Sequence, residues 1–216
     1  MKKLIIVRHG DFIKGNPFVP DIGCPLSRDG KRQVAEAAAR FAGLGIKPDL
    51  ILISPSRRTG ESAEILGRKL GISKKSIRVK KEMFEAEKPE IVRIVHQLDD
   101  SLNTAMLVGH DPAMSALLHH LVTTDVYNLK PASYAVLEVA SDRWSETVFG
   151  KVTLAHLDVP EVKPITYGWK DRLAYWYREN NRKIELLVIF LISLLLVLAL
   201  TALTIHFVVN HANQTP

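Results

Sequence analysis

Three short apolar segments, each followed at once by basic or polar residues, most constrain the fold of this 216-residue chain. The segments are residues 4–7, 49–53 and 104–108, and they lead into Arg8-His9-Gly10, Ser54-Pro55-Ser56-Arg57-Arg58-Thr59 and Gly109-His110-Asp111-Pro112. Apolar runs of this length are typical of strands in a parallel sheet that is covered on both faces. Because the carboxyl ends of parallel strands lie at one edge of the sheet, where α/β proteins bind ligands, we expect the three groups to meet at one site.

Helical segments separate these strands. One is predicted to run to residue 42, with Ser27 as its N-cap and Gly43 after its end. A second begins at the Ser54-Pro55 pair, with Ser54 as its cap, and stops at Gly71. The other expected elements are helices over 89–98 and 112–122, a short strand over 77–79, and edge strands or a hairpin over 134–139 and 144–157. The alternation predicts an α/β fold with three αβα layers around a mainly parallel sheet.

Residues 186–205 read LLVIFLISLLLVLALTALTI and carry no charge. At about 1.5 Å per residue, a helix of this length spans about 30 Å, which is the thickness of a bilayer core. A buried core helix is the alternative, but core helices are seldom so poor in polar residues over this length. The segment therefore predicts one C-terminal transmembrane helix, over residues 186–209.

Basic residues precede this segment and none follows it. They are Lys163, Lys170, Arg172, Arg178, Arg182 and Lys183. By the positive-inside rule, the N-terminal domain faces the cytoplasm, and we expect the membrane to be a bacterial inner membrane. The chain then divides into a domain over 1–160, a basic and aromatic linker over 161–185, the membrane helix, and a short tail over 210–216. Residues 168–183 are either an amphipathic helix on the membrane surface or a plain linker.

Charge and cysteine content narrow the classes of partner. The formal net charge is +6, and part of it lies in the linker before the membrane segment, so no nucleic-acid partner is predicted. Cys24 is the single cysteine, which excludes an internal disulfide and favours a reducing compartment. His119 and His120 have no carboxylate or cysteine at ligand spacing, so neither a metal nor another cofactor is expected.

The residues that follow the three main strands have the chemistry of a phosphate site. Arg8 and Arg58 supply guanidinium forks, which bind phosphoryl oxygens in a bidentate way, and helix N-termini supply free N–H groups. His9 and His110 add two imidazoles at the same edge. Asp111 is expected to cap the next helix and to orient His110.

Taken in this order, Arg-His-Gly, Ser-Pro-x-x-Arg and Gly-His resemble the motifs of the histidine phosphatase superfamily, to which the phosphoglycerate mutases belong. The Leu-Val-Gly-His-Asp-Pro stretch and the small size are most similar to its SixA-type phosphohistidine phosphatases. The resemblance covers residues 2–157 and implies a phosphoglycerate mutase-like fold. It also implies that His9 is a nucleophile that carries a transient phosphoryl group, with its other ring nitrogen held by a backbone carbonyl near Gly10. The groups implied to bind the phosphoryl oxygens are Arg8, Arg58, His110 and Gly10.

Two features of the family pattern, the proton donor and one arginine, have no clear counterpart in this sequence. The family often supplies a glutamate in the region of Glu85, with Glu82 as the second candidate, and the alternative is an acidic loop in solvent. Many SixA-type members carry an arginine before the Pro-Leu-Ser segment, where this chain has Cys24. Either a phosphate-contacting cation is missing there, or Lys14 or Arg28 compensates for it. Cys24 itself is expected to pack in the core.

Three functions stay open from the sequence. The first is a membrane-anchored phosphatase for protein phosphohistidine, since the short connections between the motifs leave no long lid over the site. The second is a phosphatase for a small phosphorylated molecule, and the third is a membrane-tethered binding module without catalysis. The presence of His9, Arg8, Arg58 and His110 together argues against the third function.

Overall fold

The computed structural model describes residues 1–13, 20–125, 128–160, 191–194 and 201. Six strands and four α-helices alternate within the described part of the compact unit Met1–Val162. They are β1 (Lys2–Arg8), α1 (Arg28–Ala42), β2 (Leu50–Ile53), α2 (Arg57–Leu70), β3 (Ile77–Val79), α3 (Lys88–His96), β4 (Thr104–Gly109), α4 (Ala113–Leu121), β5 (Tyr134–Val139) and β6 (Val152–Asp158). The predicted alternation of strands and helices is therefore confirmed.

The strands form one mixed sheet in the order β3-β2-β4-β1-β5-β6. The first four are parallel, as predicted, whereas β5 runs antiparallel to β1 and β6 runs antiparallel to β5. In this register Val7 pairs with Tyr134, and Tyr134 pairs with Asp158. The last strand therefore ends at the same end of the sheet as β1.

The strand predicted over residues 144–157 begins later than expected. Trp144–Glu146 is a 3-10 turn, and β6 starts only at Val152. The indole of Trp144 is fully buried, its ring N–H donates to the carbonyl of Leu102 at 3.1 Å, and its backbone N–H donates to Asp100 Oδ1 at 2.8 Å. These two bonds and its burial hold Trp144 in the core in a turn that precedes the strand.

Alternate strand residues face two separate cores. Ile5 and Val7 pack with residues of α1 and α2, whereas Leu4 and Ile6 pack with residues of α3 and α4. Both strand faces are buried, which is why the strands read as continuous apolar runs. The three predicted αβα layers are confirmed.

The caps of α1 and α2 show how local sequence and sheet pairing compete. Ser27 caps α1 as predicted, since its Oγ accepts the N–H of Gly30 at 2.9 Å. The prediction for α2 is wrong, because Ser56 is the cap and its Oγ accepts the N–H of Thr59 at 3.4 Å. The N–H of Ser54 donates instead to the carbonyl of Val108 at 3.3 Å, so Ser54 continues the sheet and the helix starts two residues later.

Two glycines let α1 approach the end of β1. A Cβ on Gly10 would lie 2.6 Å from the carbonyl oxygen of Gly30, and a Cβ on Gly30 would lie 1.8 Å from the carbonyl oxygen of Asp11. No side chain fits at either position without moving backbone. The contact brings the N-terminus of α1 against the residues that follow β1.

The predicted membrane helix over 186–209 and the linker over 161–185 lie mostly or wholly outside the described residues. In the unit Lys163–Pro216, residues 191–194 form a helical turn with exposed side chains. Among the residues that the structure describes, no helix is long and apolar enough to cross a membrane. Lys14, one of the two residues expected to compensate for Cys24, also lies outside the described ranges.

Candidate active site

The ends of β1, β2 and β4 meet as predicted. Arg8 pairs with Gly109 in the β1–β4 ladder, and the backbone N–H of His9 donates to the carbonyl of Gly109 at 3.1 Å. His110 directly follows β4 and therefore lies beside His9, with 5.0 Å between the centroids of the two rings. Parallel pairing of two strands is thus enough to bring both imidazoles together.

His9 is buried and its ring is held in one orientation. Nδ1 bonds the carbonyl oxygen of Gly10 at 2.7 Å, which is the contact expected from the sequence, and only 4% of the residue is exposed. Since a carbonyl can only accept, Nδ1 carries the proton of the neutral ring and Nε2 keeps its lone pair. The Nε of Arg58 donates to that lone pair at 3.3 Å.

Burial keeps both imidazoles neutral. It lowers the pKa of His9 to about 3, against the opposing effect of the bond to Gly10, and the charges of Arg58 and Arg8 lower it further. Burial also lowers the pKa of His110 to about 4, with Arg58 acting in the same direction. A neutral ring with a free nitrogen lone pair is what a histidine nucleophile requires.

Arg58 connects His9 to a residue that the sequence did not single out. Its Nη2 donates to Asp21 Oδ2 at 2.6 Å, and its Nη1 donates to the backbone carbonyl of Asp21 at 2.6 Å. The guanidinium carbon lies 4.3 Å from the centre of the Phe12 ring. The guanidinium group is thereby fixed by His9, Asp21 and Phe12. No motif marks Asp21, since its partner stands 37 positions along the chain.

Arg8 is close enough to the two imidazoles for its charge to lower the pKa of each. Its Nη1 donates to the carbonyl of Leu129 and lies 3.6 Å from Asp111 Oδ2, while its buried Nε has no hydrogen-bond partner among the described residues. Asp111 takes neither role expected from the sequence. It accepts from the hydroxyl of Ser115, and α4 has no side-chain cap.

Ser54 holds His110. The fully buried Ser54 hydroxyl lies 2.8 Å from Nε2 of His110, and Nδ1 of that ring is buried without a hydrogen-bond partner among the described residues. The edge of the Phe84 ring packs on the same imidazole, with 6.0 Å between centroids. Two arginines and two neutral imidazoles at one sheet edge form an arrangement suited to binding a phosphoryl group.

Residues 4–88 of the chain match the histidine phosphatase superfamily (branch 1). The chain is similar to this superfamily over that stretch, which is less than half of its 216 residues. This similarity supports a phosphatase, a hydrolase. A search of curated protein sequences found no match.

Solved structures agree with this assignment at the level of the fold. SixA from Agrobacterium tumefaciens is 22% identical with a TM-score of 0.64, over 74% of this chain and 99% of that one. SixA from Nakamurella multipartitia is also 22% identical with a TM-score of 0.64, over 74% of this chain and 96% of that one. The protein histidine phosphatase SixA in complex with tungstate is 19% identical with a TM-score of 0.62, over 73% and 97%. The predicted phosphoglycerate mutase-like fold is confirmed.

The remaining predicted site residues of this phosphatase lie around the imidazoles with different partners. The N–H of Gly10 donates to Ser62 Oγ at 3.3 Å, and Gly10 packs closely against Gly30. Its contact with phosphate stays a prediction. Cys24 is 5% exposed and its Sγ lies 3.7 Å from the carbonyl of Pro20, which is the packing role expected for it. Arg28 is exposed at the start of α1.

The two candidate proton donors are exposed. Glu85 follows Phe84 directly and has a positive φ of 54°, while its carboxylate bonds no described residue. A backbone hydrogen bond and the charge of Lys80 lower the pKa of Glu82. Phe84 thus anchors the acidic loop beside His110, and the choice between Glu85 and Glu82 stays a prediction.

The lowered pKa values of His9 and His110 couple protonation to unfolding. Between about pH 6.5 and the lowered pKa values of His9 and His110, the unfolded chain binds more protons than the folded protein does. The free energy of unfolding is therefore largest above about pH 6.5 and falls as the pH is lowered towards 4. We expect the urea midpoint to fall over this interval, and to fall less steeply in His9→Gln. Parallel slopes for the two proteins would contradict a buried neutral His9.

Ser54 and Ser56 have different roles that substitution by alanine separates. In Ser54→Ala, His110 loses its hydroxyl partner, and we expect kcat on an aryl phosphate to fall about tenfold. In the matched control Ser56→Ala, α2 loses its cap, and we expect about 1 kcal/mol lower stability with kcat kept. Steady-state kinetics and urea unfolding of both variants give the comparison. An equal loss of kcat in the two variants would remove the special role of Ser54.

Proposed function

We propose that this phosphatase hydrolyses phosphohistidine on a protein, with His9 as the nucleophile. The observation that carries the proposal is the state of His9, a buried neutral imidazole with Nδ1 on the carbonyl of Gly10 and Nε2 beside Arg58. Such a nitrogen can attack phosphorus without first losing a proton. The SixA neighbours, one of which is a protein histidine phosphatase holding tungstate, support the same reaction class on this fold.

The proposed reaction has two steps. In the first, the lone pair of His9 Nε2 forms a bond to phosphorus, and the bond from phosphorus to the substrate breaks with its electron pair going to the leaving group. In the second, water attacks the phosphoryl group on His9 and releases inorganic phosphate. Arg8, Arg58 and His110 stabilise the charge on the three phosphoryl oxygens during both transfers.

The second step needs a group that takes a proton from water. Glu85 is our candidate, with Glu82 as the second choice, because Phe84 packs the loop that carries them against His110. An exposed carboxylate on a short loop can reach the attacking water when the phosphoryl group is in place. No metal or other cofactor is needed in this scheme, since the cationic and N–H groups of the chain supply the stabilisation.

The surroundings of the site support a substrate carried on a protein. Asp21, which bonds Arg58, is 61% exposed, and Ile13 and Ile22 are each 37% exposed, so large side chains near the site are open to solvent. The alternative is a small phosphorylated molecule. It would need further polar groups that read the rest of the substrate, and the described residues nearest Arg58 and His9 include the apolar ring of Phe12.

We also propose that the enzyme is held at the cytoplasmic face of a membrane by residues 186–209. The support is the sequence, which has a long uncharged apolar segment with basic residues before it and none after it. The membrane is then the second partner, beside the phosphorylated protein. No nucleic-acid partner is proposed.

A phosphoenzyme test addresses the nucleophile. We expect the chain, mixed with a phosphohistidine protein labelled with ³²P, to acquire acid-labile and alkali-stable phosphate, and His9→Ala to acquire none. Turnover should be measured on phosphohistidine proteins, an aryl phosphate and a panel of phosphosugars. Labelled phosphate that persists in His9→Ala would contradict the nucleophile, and turnover of sugars alone would contradict the protein substrate.

A truncation tests the anchor. The full chain is expected in the membrane fraction, and a chain that ends at residue 185 is expected in the soluble fraction with its activity on an aryl phosphate kept. A control that deletes only the predicted tail, residues 210–216, should stay with the membrane. Recovery of the full chain in the soluble fraction would contradict the proposal.

A further inference from the structure

The carboxylate of Asp21 bonds the guanidinium group of Arg58, and the same group bonds His9, the proposed nucleophile. Arg58 Nη2 donates to Asp21 Oδ2 at 2.6 Å, and Arg58 Nε donates to His9 Nε2 at 3.3 Å. The side chain of Arg58 is 7% exposed, whereas that of Asp21 is 61% exposed. The charge of Asp21 also raises the pKa of His110, against the larger lowering by burial. An exposed carboxylate therefore bonds the arginine that holds His9, and its charge acts on the imidazole of His110.

The position of this carboxylate is fixed at more than one point. Asp21 begins a 3-10 turn, Asp21–Gly23, in which its carbonyl accepts the N–H of Cys24 at 3.1 Å as well as Arg58 Nη1. The guanidinium group is planar and rigid, so its bonds to His9 and to Asp21 keep the two residues at a constant separation. Oδ1 of Asp21 bonds no described residue, and the side chain is mostly exposed.

A negative charge beside a phosphoryl site is unfavourable unless the substrate compensates for it. Phosphoryl oxygens and the carboxylate are both anionic, and both take hydrogen bonds from Arg58. A phosphomonoester brings no positive charge and needs a proton for its leaving oxygen, which an ionised carboxylate cannot donate. A phosphohistidine differs, because its imidazole has a second nitrogen that is not bonded to phosphorus. When that nitrogen carries a proton, the ring is cationic and presents one N–H donor.

We propose that Asp21 is a specificity-determining residue that selects phosphorylated imidazoles over phosphomonoesters by accepting the N–H of the nitrogen remote from phosphorus. This inference rests on the proposed function and names the part of the substrate that the site reads. Asp21 stabilises the protonated ring, and His9 Nε2 attacks phosphorus. The electron pair of the breaking P–N bond stays on the substrate nitrogen. The ring leaves as neutral imidazole, with the remote nitrogen still protonated, so no proton is transferred in this step.

The role of Asp21 explains how the imidazole can leave from phosphorus without a carboxylic acid that protonates it. Glu85 and Glu82 are then needed only for the attack of water, which is common to all substrates. For an imidazole leaving group, the rate of the leaving-group step depends on the negative charge of Asp21. For a leaving group that needs no proton, such as 4-nitrophenolate, that rate does not depend on this charge. The two kinds of substrate therefore separate the role of Asp21 from a purely structural one.

The test compares two small probes on the full chain, purified in detergent. N-phosphoimidazole and 4-nitrophenyl phosphate are assayed with the wild type, Asp21→Asn and Asp21→Glu. Asparagine keeps an oxygen acceptor for Arg58 and removes the charge, while glutamate keeps the charge. Asp142→Asn is the matched control, because it removes an exposed carboxylate that pairs with the chain N-terminus.

We expect Asp21→Asn to lower kcat/KM on N-phosphoimidazole by about tenfold or more relative to 4-nitrophenyl phosphate, which corresponds to one hydrogen bond to a charged group. Asp21→Glu should recover part of this ratio, and Asp142→Asn should leave it unchanged. An equal change on the two probes would overturn the role of Asp21 while leaving phosphohistidine hydrolysis in place. A wild type that hydrolyses 4-nitrophenyl phosphate but not N-phosphoimidazole would overturn both the role of Asp21 and the proposed substrate.

Discussion

The hydrogen bond between Nδ1 of His9 and the carbonyl of Gly10 is the interaction on which the site depends. It fixes which ring nitrogen carries the proton, and so it leaves Nε2 free to react. The carbonyl can only be offered because Gly10 turns away from the strand against Gly30, where no side chain fits. Packing between a strand end and a helix start is thus tied directly to the protonation state of the proposed nucleophile.

The backbone of His9 is held from both neighbouring strands. Its N–H donates to the carbonyl of Gly109, the last residue of β4, and its carbonyl accepts the N–H of Ala132 before β5 at 3.1 Å. Ala132 has a positive φ of 62°, a conformation that residues with a side chain seldom adopt. The backbone is therefore locally strained next to the site. With this conformation, His9 lies at the end of β1 near the centre of the sheet, and its N–H and carbonyl are both hydrogen-bonded.

The sequence predicted those features that depend on neighbouring residues or on strand ends. The apolar runs predicted β1, β2 and β4, and parallel pairing then determines that His9 and His110 meet, so both were found from the sequence. Ser54 was assigned wrongly because Ser54 and Ser56 are equivalent as local caps, and only the bond from Ser54 to Val108 in another strand distinguishes them. Asp21 was missed for the same reason, since its contact with Arg58 is made across the fold and leaves no pattern in the sequence.

The direction of β6 has a consequence for how the enzyme would meet its substrate. Asp158 lies at the end of the sheet where β1 also ends, so the chain leaves the domain from the end that carries His9. With residues 186–209 in a membrane as proposed, the intervening residues 159–185 could span at most about 97 Å at their fully extended length. Encounters would then take place in a thin layer over the bilayer, where partners held at the same surface meet the site at a raised effective concentration. A freely diffusing phosphoprotein would have no such advantage, which makes a membrane-bound phosphorylated partner the better match for this tether.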